Sequence, residues 1–380
     1  MLRNARVKIC VVNPSEHGGG AEYQISLLID ALADSGEYDI HYLTHFVDER
    51  DRYRRYQVWR IGGGSIPRFG YITEARSLYR VLSKIAPDVI YQRVACAYTG
   101  VCALYARRRG VPLVWHVAHD TDVTPQHLDQ ARNVIRLQLE KWAVEFGIRN
   151  ATRIVVQTQH QAGLLQTNYA RIADAVIPNF HGLATEPIDK SGPLSIVWIA
   201  NLKPWKQPEV FVRLASSLSS CTGVRFIMVG AAAVGRQPWQ DALMRSIDGA
   251  DNLQYVGHKS HAEVNELLAR AHIFVNTSMH EGFPNTFIQS WLREVAVVSL
   301  RVDPDHVLER QRVGIVAKSE AGLVAAVRDL IEQPEMRTAY ASRGRDYARA
   351  QHSMRNAEEL IRLIRSYGAQ GRAEAAATDA

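Results

Sequence analysis

The sequence predicts an α/β protein built from two doubly wound parallel-sheet domains. Three observations carry that prediction. Short apolar runs of strand length alternate with amphipathic helical stretches from Val7 onward. The alternation breaks once, in the turn-rich segment 178–193, and then restarts. The 380 residues, 47% of them apolar, hold enough chain for two separate cores. Strands alternating with helices make parallel sheets covered on both faces, and such sheets bind ligands outside the carboxyl ends of their strands.

In the first half, Val7–Asn13 reads as a strand, a loop follows over 14–22, and Ile25, Leu28, Ile29 and Leu32 share one face of a helix at about 23–34. Gly18, Gly19 and Gly20 in that loop admit two readings: a tight turn, or backbone bare enough for a phosphate or sugar to approach a helix N-terminus. They do not spell Gly-x-Gly-x-x-Gly, so no nicotinamide cofactor is implied. Strands at 39–44, 57–61 and 88–92 alternate with helices near 72–85 and 96–109, and residues 112–118 form the next strand. His119 and Asp120 fall at its carboxyl end. Thr124 and Pro125 read as the N-cap and first-turn proline of a long helix reaching about Gly147. Strand 152–157, helix 160–169 and strand 175–177 complete a domain over 1–180.

The second domain, 181–352, opens with strand 194–200, helix 207–218 and strand 224–229, which ends at Gly230; a further strand ends at Gly257. Ser260 and Glu263 spell a capping box before a short helix. Strand 272–276 leads to a loop and a helix carrying Phe287, Ile288, Trp291 and Leu292, then to strand 295–300 and helices at about 319–332 and 335–350. A last helix at 353–367 is placed packing back toward the first domain. Residues 368–380 lack an apolar face and read as a disordered tail. The default site in this arrangement is a cleft between the two domains.

No apolar run approaches the roughly 18 residues needed to span a bilayer, and no signal-peptide core precedes the first strand, so a cytoplasmic protein is expected. Cys10, Cys96, Cys102 and Cys221 form no Cys-x-x-Cys pair and read as reduced, buried thiols. The net charge of +6 is uneven: between 50 and 80, eight arginines stand against Asp51 and Glu74, interleaved with aromatic residues. That segment suits either a solvated face or an anionic membrane surface on the cytosolic side. No recognition-helix or RNA-binding signature accompanies it, so nucleic acid is not expected as a partner.

The stretch His280–Ser290 is the densest in chemistry. Glu281 stands before a predicted helix N-terminus whose dipole and unpaired N–H groups attract anions. Gly282 frees the loop backbone, Phe283 follows, Pro284 fixes φ at the helix start, and Asn285 or Thr286 can cap it. The same residues would also serve a capped helix with no ligand.

Taken with Gly19–Gly20, His119 and the segment from Asn201 to Glu209, the Glu-Gly-Phe-Pro-Asn run at 281–285 resembles the retaining glycosyltransferases of family 4, the group 1 type with the GT-B fold. The resemblance extends from about Val7 to Leu363. It implies transfer of a sugar from a UDP- or GDP-linked donor to a glycan or lipid-linked acceptor, with retention of configuration, in polysaccharide or glycoconjugate synthesis. It implies catalytic roles for Glu281, His119 and Lys206. It implies donor binding by Gly19, Gly20, Asn201, Lys206, Gly230, Gly257, Gly282, Phe283, Pro284, Asn285, Thr286 and Gln289. No cofactor and no metal is expected, because a lysine and a helix dipole stabilise the departing diphosphate in this family.

Two positions depart from the family pattern. Gln289 stands where relatives carry a ribose-binding carboxylate, and Asn201 stands where they carry the first of two cations; Lys203 is nearby. These departures leave open a noncatalytic nucleotide-sugar-binding partner, or an epimerase on the same scaffold. His116 competes with His119 for the site. The Asp-x-Asp pairs at 120–122 and 303–305 and the pair His116 and His119 read as structural rather than as metal ligands.

Overall fold

The computed structural model describes residues 6–13, 19–45, 55–62, 70–125, 135–232 and 238–378. The chain divides into unit 1, residues 1–180 with 354–380, and unit 2, residues 181–353.

In unit 1, strands β1 (Val7–Val12), β2 (Tyr38–Thr44), β3 (Gln57–Arg60), β4 (Val89–Arg93), β5 (Leu113–His116), β6 (Arg153–Val156) and β7 (Ala175–Val176) form a sheet in the order β3-β2-β1-β4-β5-β6-β7. Every pairing is parallel. The strand sequences are near-continuous apolar runs because both faces are covered. One face carries Ile90, Trp115, Tyr98 and Cys102 with the helices α2 (Gly70–Ile85), α3 (Ala97–Arg109) and α4 (Ile135–Asn150). The other carries Ile9, Val11, Val89 and Tyr91 under α1 (Gly20–Ser35), while α5 (Gln159–Tyr169) follows β6.

Unit 2 holds β8 (Leu194–Ile199), β9 (Val224–Val229), β10 (Leu253–Tyr255), β11 (Ile273–Asn276), β12 (Ala296–Ser299) and β13 (Gly314–Val316), again all parallel, in the order β10-β9-β8-β11-β12-β13. Its helices are α6 (Pro208–Ser217), α7 (Pro238–Asp248), α8 (His261–Arg270), α9 (Asn285–Leu292), α10 (Val307–Arg310), α11 (Glu320–Glu332) and α12 (Pro334–Gln351). In both sheets the strand order reverses once, between β1 and β4 and between β8 and β11, and the carboxyl edge beside such a reversal is where doubly wound sheets receive ligands.

The structure differs from the sequence reading in several places. The last helix, α13 (Arg355–Thr378), runs through the segment read as a disordered tail; its alanine-rich end has the highest intrinsic helix propensity and continues a helix already nucleated by packing. Helix α7 and strand β13 were not expected, although Leu243 and Ile247 repeat at helical spacing and are buried. Thr124, read as a helix N-cap, closes a 3-10 turn over Asp120–Val123, its hydroxyl donating to Asp120 O at 2.8 Å. Residues 126–134 of the long helix expected there lie outside the described residues. Finally, α9 begins after Pro284 with no side-chain cap; Asn285 and Thr286 lie inside the helix.

The four cysteines are free; burial raises the thiol pKa of Cys10 and Cys102, and that of Cys96 to about 12, so these three stay protonated. Of the basic segment 50–80, residues 50–54 and 63–69 lie outside the described residues. Within the rest, Arg55 pairs with Asp34 at 2.7 Å and Trp59 donates to His41 Nδ1 at 2.9 Å. Among the described residues no helix is long and apolar enough to cross a membrane.

Candidate active site

Unit 2 gathers its reactive side chains at the β8/β11 reversal. After β8 the chain enters a 3-10 turn over Pro204–Lys206, and after β11 it runs through Thr277–Pro284 into α9. Three hydrogen bonds bolt these two loops together. Thr277 Oγ1 donates to Lys206 O at 2.6 Å, Trp198 Nε1 donates to Thr277 Oγ1 at 2.8 Å, and Met279 N donates to Trp205 O at 2.8 Å. The Trp205 ring lies nearly parallel to that of His280, and the Lys203 ammonium sits 4.8 Å above its centroid.

This frame holds Lys206 against Glu281 in a direct ion pair. The Ser278 hydroxyl donates to the same carboxylate oxygen at 2.7 Å. Both partners are largely buried, with side-chain exposures of 19% and 11%. Such a pair is strengthened by the lower local dielectric and fixes an ammonium with spare N–H donors beside the carboxylate. Pro284 starts α9 without a side-chain cap, so the positive end of the helix dipole also points into this loop.

The remaining donor-site residues are placed by packing. Phe283 is wedged against the His352 ring at 4.4 Å and against Trp291. Asn285 Oδ1 accepts from His181 Nε2 at 3.1 Å, and the His181 N–H donates to His352 O at 2.8 Å. Sequence reasoning missed these two histidines, because nothing in their local pattern ties them to the loop. Gln289 is buried and its Nε2 donates to Asn265 Oδ1 at 3.0 Å. Gly230 has to be glycine: a Cβ there would run into Ala200 O, next to the half-buried Asn201. Its N–H donates to the carbonyl of Gly257, whose φ of +70° is a left-handed conformation.

In unit 1, Gly19 is the N-cap of α1 and Gly20 its first residue, while Gly18 lies outside the described residues. The Glu22 carboxylate folds back against Gly19, so this helix end already has an acid of its own chain beside it. His119 follows β5 half-buried, and its Nδ1 accepts from Thr121 N at 3.1 Å. A neutral ring with an accepting Nδ1 carries its proton on Nε2, which makes His119 a hydrogen-bond donor there rather than a base. Asp122 shapes the turn, accepting from Ala95 N at 3.2 Å, Ala118 N at 2.8 Å and His119 N at 3.0 Å. His116, by contrast, is fully buried inside the sheet, where burial and the Arg93 cation push its pKa well below the ordinary value. Among the described residues the group close enough to share an ion is Asp303, His306 and Glu309, and Glu309 already pairs with Lys318 at 2.7 Å.

Two family models match this architecture. Residues 18–181 match Glycosyltransferase Family 4, and residues 193–333 match Glycosyl transferases group 1. The chain is a glycosyltransferase of the GT-B type. Solved structures agree on the fold. HepE of Anabaena, in complex with UDP and glucose, is 18% identical with a TM-score of 0.76, covering 95% of this chain and 100% of its own. WaaG, a glycosyltransferase involved in lipopolysaccharide biosynthesis, is 14% identical with a TM-score of 0.76 over 94% of this chain and 99% of its own. Sucrose-phosphate synthase from Thermosynechococcus elongatus is 14% identical with a TM-score of 0.74 over 96% of this chain and 100% of its own. No curated protein matches the sequence.

Proposed function

We propose that this glycosyltransferase moves a sugar from a nucleoside-diphosphate donor, held by unit 2, to a glycan or lipid-linked glycan acceptor recognised by unit 1, with retention of anomeric configuration. The observation that carries the reading is the Lys206–Glu281 pair beside the uncapped amino end of α9. A departing diphosphate develops negative charge, and a fixed ammonium with a helix dipole stabilises it without reorganising. Glu281 faces the developing positive charge of the sugar, and Nε2–H of His119 supplies a donor for a sugar hydroxyl. The glycosyl bond to the diphosphate oxygen breaks, the acceptor oxygen forms the new bond, and the acceptor proton leaves on the departing phosphate. Complexes of relatives with UDP support a uridine donor. No metal is invoked; lysine and helix dipole supply the positive charge. The basic, aromatic segment 50–80 supports an acceptor presented at the cytosolic membrane face.

The decisive experiment incubates the protein with labelled UDP- and GDP-sugars and membrane extracts, and reads the anomeric configuration of the product by NMR. Transfer with retention is expected. Absence of transfer from every donor by folded protein would sink the proposal and leave the noncatalytic binding partner suggested by Asn201 and Gln289. Ribose placement has its own check. Gln289→Glu should tighten UDP binding several-fold, since a carboxylate accepts charge-assisted bonds from a diol; unchanged affinity places the ribose elsewhere.

A further inference from the structure

Arg93 is the last residue of β4, on the strand-order reversal of unit 1, the position that in unit 2 carries the Lys206–Glu281 site. Its residue exposure is 1%. Tyr91 and Arg93 share one face of the sheet by the two-residue period of a strand, and His116 stands opposite Arg93 in the β4–β5 register. The guanidinium makes no ion pair among the described residues. Nη2 donates to the neutral Asn179 Oδ1 at 2.6 Å. Nε and Nη1 have no partner.

What the Arg93 guanidinium lacks among the described residues is an acceptor. The Tyr91 hydroxyl and His116 Nδ1 share a hydrogen bond of 2.9 Å. The unpartnered Arg93 atoms, Nε and Nη1, are both N–H donors on a permanent cation. A buried cation without a counter-charge is destabilising, and stability alone gives no reason to keep it. Planar arginine donors match the oxygens of phosphate, and neutral neighbours leave the charge for the ligand.

We infer that Arg93, beside His116, forms an anion subsite that recognises a phosphate-class group carried by the acceptor. The inference rests on the reading of unit 1 as the acceptor-binding unit. The phosphate could belong to a soluble sugar phosphate or to a lipid carrier.

The test follows thermal unfolding of the full-length protein with saturating UDP, so that the donor site is filled, while inorganic phosphate is titrated. At about ten times its Kd, phosphate should raise the wild-type midpoint by about 2–4 °C. Arg93→Met should fold with an equal or higher midpoint, keep the UDP shift and lose the phosphate shift; Arg93→Lys, which keeps the charge, should retain part of it. Glucose 6-phosphate and a short-chain phosphatidic acid, titrated in parallel, identify the source of the anion by which one competes with phosphate. The inference is overturned if phosphate leaves the wild type unmoved, if Arg93→Met responds like the wild type, or if Arg93→Met does not fold. Loss of the UDP shift in Arg93→Met would assign the cation to the donor and overturn it as well. A wild type that ignores UDP would instead count against the proposed function.

Discussion

At the scale of single residues, the loops after β8 and β11 turn a generic strand–loop–helix into a charged site. Lys206→Ala removes the ammonium paired with Glu281 and is expected to lower kcat about 100-fold or more, the cost of removing one preorganised charge-stabilising donor, as read by initial rates at saturating donor. A loss confined to KM would move Lys206 out of the reaction centre. His181 supplies a pH signature. Burial, outweighing its bond to Asn285, lowers its pKa from 6.5 to about 3. Between those values the unfolded chain takes up a proton that the folded chain refuses, so stability declines as pH falls from about 6.5 toward about 3. His181→Asn removes that titration, and its midpoint-versus-pH profile should be flatter than the wild type's over this window; an identical slope would show the ring to be solvated. The loop of Glu281, Gly282 and Phe283 was legible because a short motif fixes a loop chemically. His181, His352 and Asp122 were not, because each acts through contacts across long sequence separations or through backbone geometry.

At the scale of elements, the strands and most helices were legible because period and turn residues are local signals. The exceptions have physical causes. Strand β13 is three residues long and too short to show a period. Helix α13 belongs to unit 1 although it follows all of unit 2, and its Ala357, Leu360 and Ile364 are fully buried against the β1–β4 face. Leu360→Ala should therefore cost about 2–5 kcal/mol, measured by urea denaturation, and the loss should fall on unit 1. A cost below about 1 kcal/mol would mean that the helix only rests on the surface.

At the scale of the whole molecule, two cores in one chain predict two unfolding transitions rather than one. UDP at 100 times its Kd should stabilise one of them by about 2.7 kcal/mol and leave the other where it was; limited proteolysis across the melt would show that the stabilised fragment contains residues 181–353. Equal shifts of both transitions would contradict a donor site built by unit 2 alone. The sequence by itself determined the two α/β domains, the break near residue 180 and the Glu281 loop, since periodicity, turn chemistry and a five-residue motif are written in neighbouring residues. Only the tertiary structure decided that Lys206 meets Glu281, that His116 is sealed in the sheet while His119 is half exposed, and that Arg93 lies buried with no ion pair among the described residues. Burial and pairing depend on which strands become neighbours, and the chain brings those strands together only by folding.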